Sequence, residues 1–121
     1  MTSTLLAVTF DCEDAATLAS FWATVLDRPV DTDASADFAS IGMASAGSET
    51  AWLFVKVPEG ASAKNRCHPD MVSSDLDAES VRLVAAGATQ HGTISEGGHR
   101  WTTFTDPEGN VFDVVQGAPQ P

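Results

Sequence analysis

The sequence is short of positive charge. Six lysines and arginines stand against 17 aspartates and glutamates in 121 residues, a formal net charge of -11 at neutral pH. Such a chain repels phosphate and has no cationic surface with which to release counterions, which argues against nucleic acid and anionic membrane as partners. The same field attracts a cationic small molecule. Cysteine is scarce as well: Cys12 and Cys67 fit neither a disulfide framework nor a CxxC metal pattern, and read as reduced thiols of a cytoplasmic protein. No apolar run approaches the ~18 residues of a membrane span, and Met1-Thr2-Ser3-Thr4 lacks the basic stretch of a signal peptide. A Gly-rich phosphate loop, a GxSxG elbow and a Cys–His–acid spacing that would mark a nucleophile are missing too.

What is present is enough apolar residue for a core. They make up 43% of the chain, which excludes disorder despite the charge, and the length fits one domain over 1–121. Residues 4–10 are apolar and β-branched and predict a strand; the acidic cluster Asp11 to Asp14 then suits a helix start. Leu18, Phe21, Trp22, Val25 and Leu26 recur at helical spacing, and Arg28-Pro29 should stop that helix. Residues 30–48 have few large side chains and read as two short strands around a turn, before a clear strand from Ala51 to Val57. Pro58 to Lys64 punctuates the middle as a linker, giving module one over about 4–57, a linker at 58–66 and module two over about 67–116.

The second half repeats the plan. Cys67 to Val72 predicts a strand, with Pro69 suited to its start. A helix opens at Asp75, should turn Val81, Val84 and Ala85 inward, and ends at Gly87. Its acidic first turn (Asp77, Glu79) complements the helix dipole. Thr89 to Ser95, His99 to Thr105 and Val111 to Gln116 predict three strands, the last two separated by the turn Asp106-Pro107-Glu108-Gly109. His91, beside Gly92, falls in an expected turn and has no assigned role. The fold class is therefore α+β, a duplicated βαβββ unit. Aligning Val81 with Leu18 places His68 opposite Leu5, and aligning the final strands places Asp113 opposite Phe54.

The stretches VTFDCEDAATLASFWATVLDRPV, VPEGASAKNRCHPDM, LDAESVRLVAAGAT and RWTTFTDPEGNVFDVV together resemble the glyoxalase-like branch of the vicinal oxygen chelate superfamily. That superfamily also contains bleomycin-resistance proteins and ring-cleaving dioxygenases. The most specific piece is the run Asp106 to Asp113. The resemblance implies paired βαβββ modules forming curved sheets around a cavity, often in a homodimer. Metal-dependent members place ligands at four symmetric positions, which carry over to Leu5, Phe54, His68 and Asp113. Only His68 and Asp113 can coordinate a divalent metal, and shifting Leu5 to Ala7 restores nothing.

Several residues are candidates for the site. His68 and Asp70 lie two apart, so on a strand both point to one face. They read as a metal ligand, as a general base held by a carboxylate, or as a hydrogen-bonded pair supporting the linker. Asp113 interrupts an apolar strand, where an unpaired buried carboxylate costs several kcal/mol; it reads as cavity-facing and functional, or as part of a strand face that opens to solvent. His99 follows a Gly pair and, with Arg100 and Trp101, forms a ligand contact or a hairpin corner. Trp52 and Phe54 share a strand face and either stack on a flat or cationic ligand or fill the core. Two function classes follow. One is a metal-free small-molecule-binding protein, sequestering or acting on an organic metabolite or antibiotic-like natural product in a cavity lined by Phe54, His68, Trp101 and Asp113. The other is a divalent-metal-dependent lyase, isomerase or dioxygenase using His68 and Asp113. With the first-half ligand pair lost, no cofactor is the favoured expectation.

Overall fold

The computed structural model describes residues 5–43, 49–59 and 67–117, in two compact units divided at Gly60. Most of the expected linker, positions 44–48 and the tail from 118 onward lie outside the described residues. The first unit runs β1 (Ala7–Cys12), α1 (Ala15–Leu26), β2 (Phe38–Ile41) and β3 (Ala51–Lys56). The second runs β4 (Asp70–Ser73), α2 (Leu76–Ala86), β5 (Thr89–Glu96), β6 (His99–Thr105) and β7 (Val111–Gln116). The α+β class follows directly, with one helix to each sheet. Of the two strands expected within 30–48, the described residues hold only β2; 30–37, 42 and 43 carry no strand, and 44–48 lie outside the described residues.

In the first unit the sheet order is β1-β3-β2, with β1 parallel and β2 antiparallel to β3. Asp14 caps α1 by accepting from the Thr17 N–H at 3.1 Å. The helix stops at Asp27, whose backbone takes the left-handed conformation (φ 52°, ψ 48°) while the Arg28 N–H returns to the Ala23 carbonyl. Leu18, Phe21, Trp22 and Val25 are buried as their spacing predicts. Trp22 stacks on Trp52 at 5.2 Å between ring centres, and Phe10 touches both Trp22 and Phe54 at 5.3 and 5.5 Å.

In the second unit the order is β4-β7-β6-β5, with β4 parallel to β7 and the other pairs antiparallel. Asp75 caps α2 through the Ala78 N–H, and Gly87 (φ 123°) ends it. The inward stripe of α2 differs from expectation. Leu76, Ser80 and Leu83 are buried, whereas Val81 and Val84 are exposed. The cap at Asp75 fixes the phase, and positions one, five and eight of the helix then face the sheet. Ser80 fits there because its hydroxyl donates to the Leu76 carbonyl at 2.8 Å. His91 also departs from expectation: it lies within β5, at an irregularity between Gln90 and Thr93, and its Nε2 is 3.1 Å from the Thr105 hydroxyl.

The turn before β7 is built on Asp106, which is 3% exposed. Its Oδ1 accepts from the Glu108 and Asn110 backbone N–H groups, both at 2.9 Å, and the Asn110 amide donates to both oxygens. Gly109 supplies the positive φ of 85° that the turn requires. This turn sets where β7 begins, and so which face Asp113 occupies.

The helix caps also correct the alignment of the halves. Matching Asp14 with Asp75 places His68 opposite Ala7, and matching β3 with β7 end to end places Asp113 opposite Leu53. Burial agrees, because Trp52 and Phe54 are buried like Phe112 and Val114. Phe54 therefore is not the counterpart of Asp113. Neither Ala7 nor Leu53 carries a metal-binding atom.

Candidate functional site

The site lies on the face of the four-stranded sheet opposite its buried side. Along β7, Phe112 and Val114 are buried, so the alternating residues Asp113 and Val115 point the other way. Register then assembles rows across the sheet. Asp70 of β4 pairs with Asp113, which pairs with Thr103 of β6. Two residues along, Val72 pairs with Val115, Val115 with Trp101, and Trp101 with Ile94 of β5. Glu96 pairs with His99 beyond that apolar row.

Within the first row the polar contacts are short. Thr103 Oγ1 donates to Asp113 Oδ1 at 2.6 Å. His68 Nδ1 stands 2.9 Å from Asp70 Oδ1 and 3.8 Å from Asp113 Oδ2. The imidazole edge is thus turned to two carboxylates, and donor atoms of all three residues lie within 4.8 Å of one another. Asp113 is the most enclosed, with 17% of its side chain exposed against 44% for His68 and 58% for Asp70. Its backbone N–H donates to the Pro69 carbonyl at 3.1 Å, which ties β7 to the segment carrying His68.

A cavity of about 530 Å³ opens on this face, lined by Asp70, Glu96, His99, Trp101, Asp113 and Val115. Of the residues singled out from sequence, Asp70, Asp113, His99 and Trp101 line it, and His68 joins it through Asp70 and Asp113. Trp52 and Phe54 do not. Their rings are 8% and 0% exposed in the core of the first unit, on the side carrying Trp22. The parity of β3 decides this, because both rings share the face of their helix-packed partner Phe10. Arg100 also turns away from the cavity, pairing with Asp77 of α2 at 2.7 Å. From sequence, Thr103, Val115 and Glu96 carry no assigned site role, although Val115 shares the face of Asp113 by strand alternation. The signal was strand alternation: Thr103 lies two residues from Trp101, Val115 two from Asp113, and Glu96 two from Ile94.

One imidazole and two carboxylates form a donor set suited to a divalent ion, leaving coordination positions for substrate or water. His68, Asp70 and Asp113 fit that role. A metal held there would polarise oxygens of a bound substrate. The same group without metal offers a base in His68 and two carboxylates to receive a proton donor or a cation.

Two sheets of mixed direction, each with one helix, make an α+β fold, and the second sheet carries a chemically equipped open face. The chain belongs to the glyoxalase-like domain family, whose model matches residues 7–115. Among solved structures it is similar to a glyoxalase/bleomycin resistance/dioxygenase family enzyme from Burkholderia phytofirmans PsJN, with TM-score 0.76 and 17% identity over 93% of this chain and 98% of that one. It is also similar to a mutant of the fosfomycin resistance protein FosX from Listeria monocytogenes, complexed with Mn(II) and 1S,2S-dihydroxypropylphosphonic acid. That match has TM-score 0.76 and 14% identity, covering 98% of this chain and 93% of that one. Lactoylglutathione lyase from Agrobacterium tumefaciens matches with TM-score 0.66 and 14% identity over 97% and 96% of the two chains. At these identities the likeness shows the fold alone. No curated protein matches the sequence. No helix among the described residues is long and apolar enough to cross a membrane.

Proposed function

We propose that this protein binds a small organic molecule on the open face of its second sheet, without a resident metal, and sequesters it or acts on it through His68 and Asp113. The observation that supports this most strongly is Asp113. It is a largely enclosed carboxylate in an apolar strand, held by Thr103 and shared between a cavity wall and the His68–Asp70 pair. The metal-free form is favoured because the corresponding positions of the first unit, Ala7 and Leu53, carry no ligand atoms. The donors that remain are engaged with one another. Trp101 and Val115 supply the apolar wall, and His99 stands at its margin. A homodimer in the cytoplasm completes this reading.

The convergence of His68, Asp70 and Asp113 supports a second reading, a divalent-metal-dependent lyase, isomerase or dioxygenase. Elemental analysis of tag-free protein, followed by calorimetric titration of the stripped form with manganese, zinc, nickel and anaerobic ferrous iron, separates the two. The first reading predicts no stoichiometric metal. Micromolar or tighter binding that is lost in both His68→Ala and Asp113→Ala would replace it with the second.

A further inference from the structure

We infer that the ligand is an amphipathic organic cation, with a flat apolar body and a protonated nitrogen set about three methylenes from it. This rests on reading the open face of the second sheet as the ligand site. The inference comes from the row pattern of that face. Val72, Val115, Trp101 and Ile94 form one apolar row across all four strands. Its outer members are left open, Val72 at 73% and Ile94 at 46% exposed, while Trp101 and Val115 line the cavity. With strands about 4.8 Å apart, such a row spans roughly 14 Å, more than a body of two aromatic rings needs. An aromatic or aliphatic slab laid there covers apolar surface and meets the face of Trp101.

The neighbouring row is acidic. Asp70 and Asp113 lie one two-residue step along the strands, about 7 Å from the apolar row. On the far side, Glu96 adds a third carboxylate beside His99. Among the described residues no lysine or arginine lines the cavity, and Arg100 is committed to Asp77 on the other side of the sheet. Among these residues an anionic head group would meet carboxylates and two imidazoles. A protonated amine would meet Asp113 Oδ2, the oxygen that Thr103 leaves available, and Asp70. Charge complementarity and the step between rows together select the ligand: apolar body on one row, cation on the next.

Calorimetric titration of the whole chain with phenylalkylammonium ions carrying one to five methylenes tests this, alongside 3-phenylpropanol and 3-phenylpropanoate, all in chelator. The three-methylene amine should bind best. Asp113→Asn should weaken it about tenfold or more, since an ion-paired contact is lost, and should weaken the alcohol much less. Trp101→Ala should weaken amine and alcohol alike. If 3-phenylpropanoate binds as tightly as the amine, the cationic inference fails and the face remains a ligand site. If carboxylate binding appears only when Mn(II) replaces the chelator, the metal reading displaces the inference. If no member binds, both the inference and the site reading fail. Should Val72→Asp with Ile94→Asp convert a dimer to a monomer, the apolar row belongs to a second copy of the chain and the inference is overturned.

Discussion

Asp113 can stand in an apolar strand because its two oxygens are divided: Oδ1 accepts from Thr103, and Oδ2 faces the His68 imidazole. Replacing Thr103 by Val removes the hydroxyl that bonds that carboxylate and should lower ligand affinity severalfold, about 1 kcal/mol. Thr103→Ser should restore it, and titration of the pair with the same ligand checks the contrast. Phe54 gives the opposite expectation. Buried against Phe10, whose ring also meets Trp22 and Trp52, it contributes to the core of the first unit, so Phe54→Ala should cost about 3–5 kcal/mol in denaturant unfolding. Ligand affinity of the folded fraction should stay unchanged. The anomaly of Asp113 was legible in sequence, because a charge between Phe112 and Val114 breaks a local rule. The role of Phe54 was not, since an aromatic residue in a strand obeys the rule on either face and only the register with Phe10 settles which one.

At the scale of elements, caps and turns carried more information than apolar spacing. Asp14, Asp75 and Gly87 were readable as helix boundaries because each satisfies backbone groups that no neighbour could reach. The strand β7 was readable to the residue, since the Asp106 to Gly109 turn fixes its start. The inward face of α2 was not, because a serine that bonds its own helix backbone occupies a core position while two valines lie outside. Leu83→Ala should therefore cost about 2–5 kcal/mol. Val81→Ser should stay within about 0.5 kcal/mol of the parent chain, as surface substitutions do. Chemical denaturation of the two variants side by side measures the difference. A large loss from Val81→Ser would show that α2 packs on a phase other than the one set by Asp75.

At the scale of the whole molecule, the excess of acidic residues acts on stability as well as on partners. With 17 acidic and 6 basic side chains, the folded chain concentrates like charge, and screening should relieve the repulsion. Raising sodium chloride from about 10 mM to about 500 mM should raise the thermal midpoint by a few degrees, equivalent to about 1 kcal/mol for a domain of this size. A falling midpoint would mean that specific ion pairs such as Arg28–Glu49 and Arg100–Asp77 outweigh the general repulsion. The division into two similar units was visible in the repeated order of strand, helix and strands. The alignment between them needed the caps, because the apolar stripes of the two helices are built from different side chains.

Ligand binding on the open face of the second sheet is a matter on which the three tryptophans report directly. Trp22 and Trp52 stack in the core of the first unit, whereas Trp101 lines the cavity beside Asp113. The decisive measurement is the nitrogen-15 spectrum of the three indole N–H groups while a set of aromatic amines, acids and alcohols is added to metal-stripped protein. Binding as described moves the Trp101 signal and leaves the other two in place, with the response lost in Trp101→Phe. Compounds that shift Trp22 or Trp52 and leave Trp101 still would place the ligand elsewhere and contradict the account.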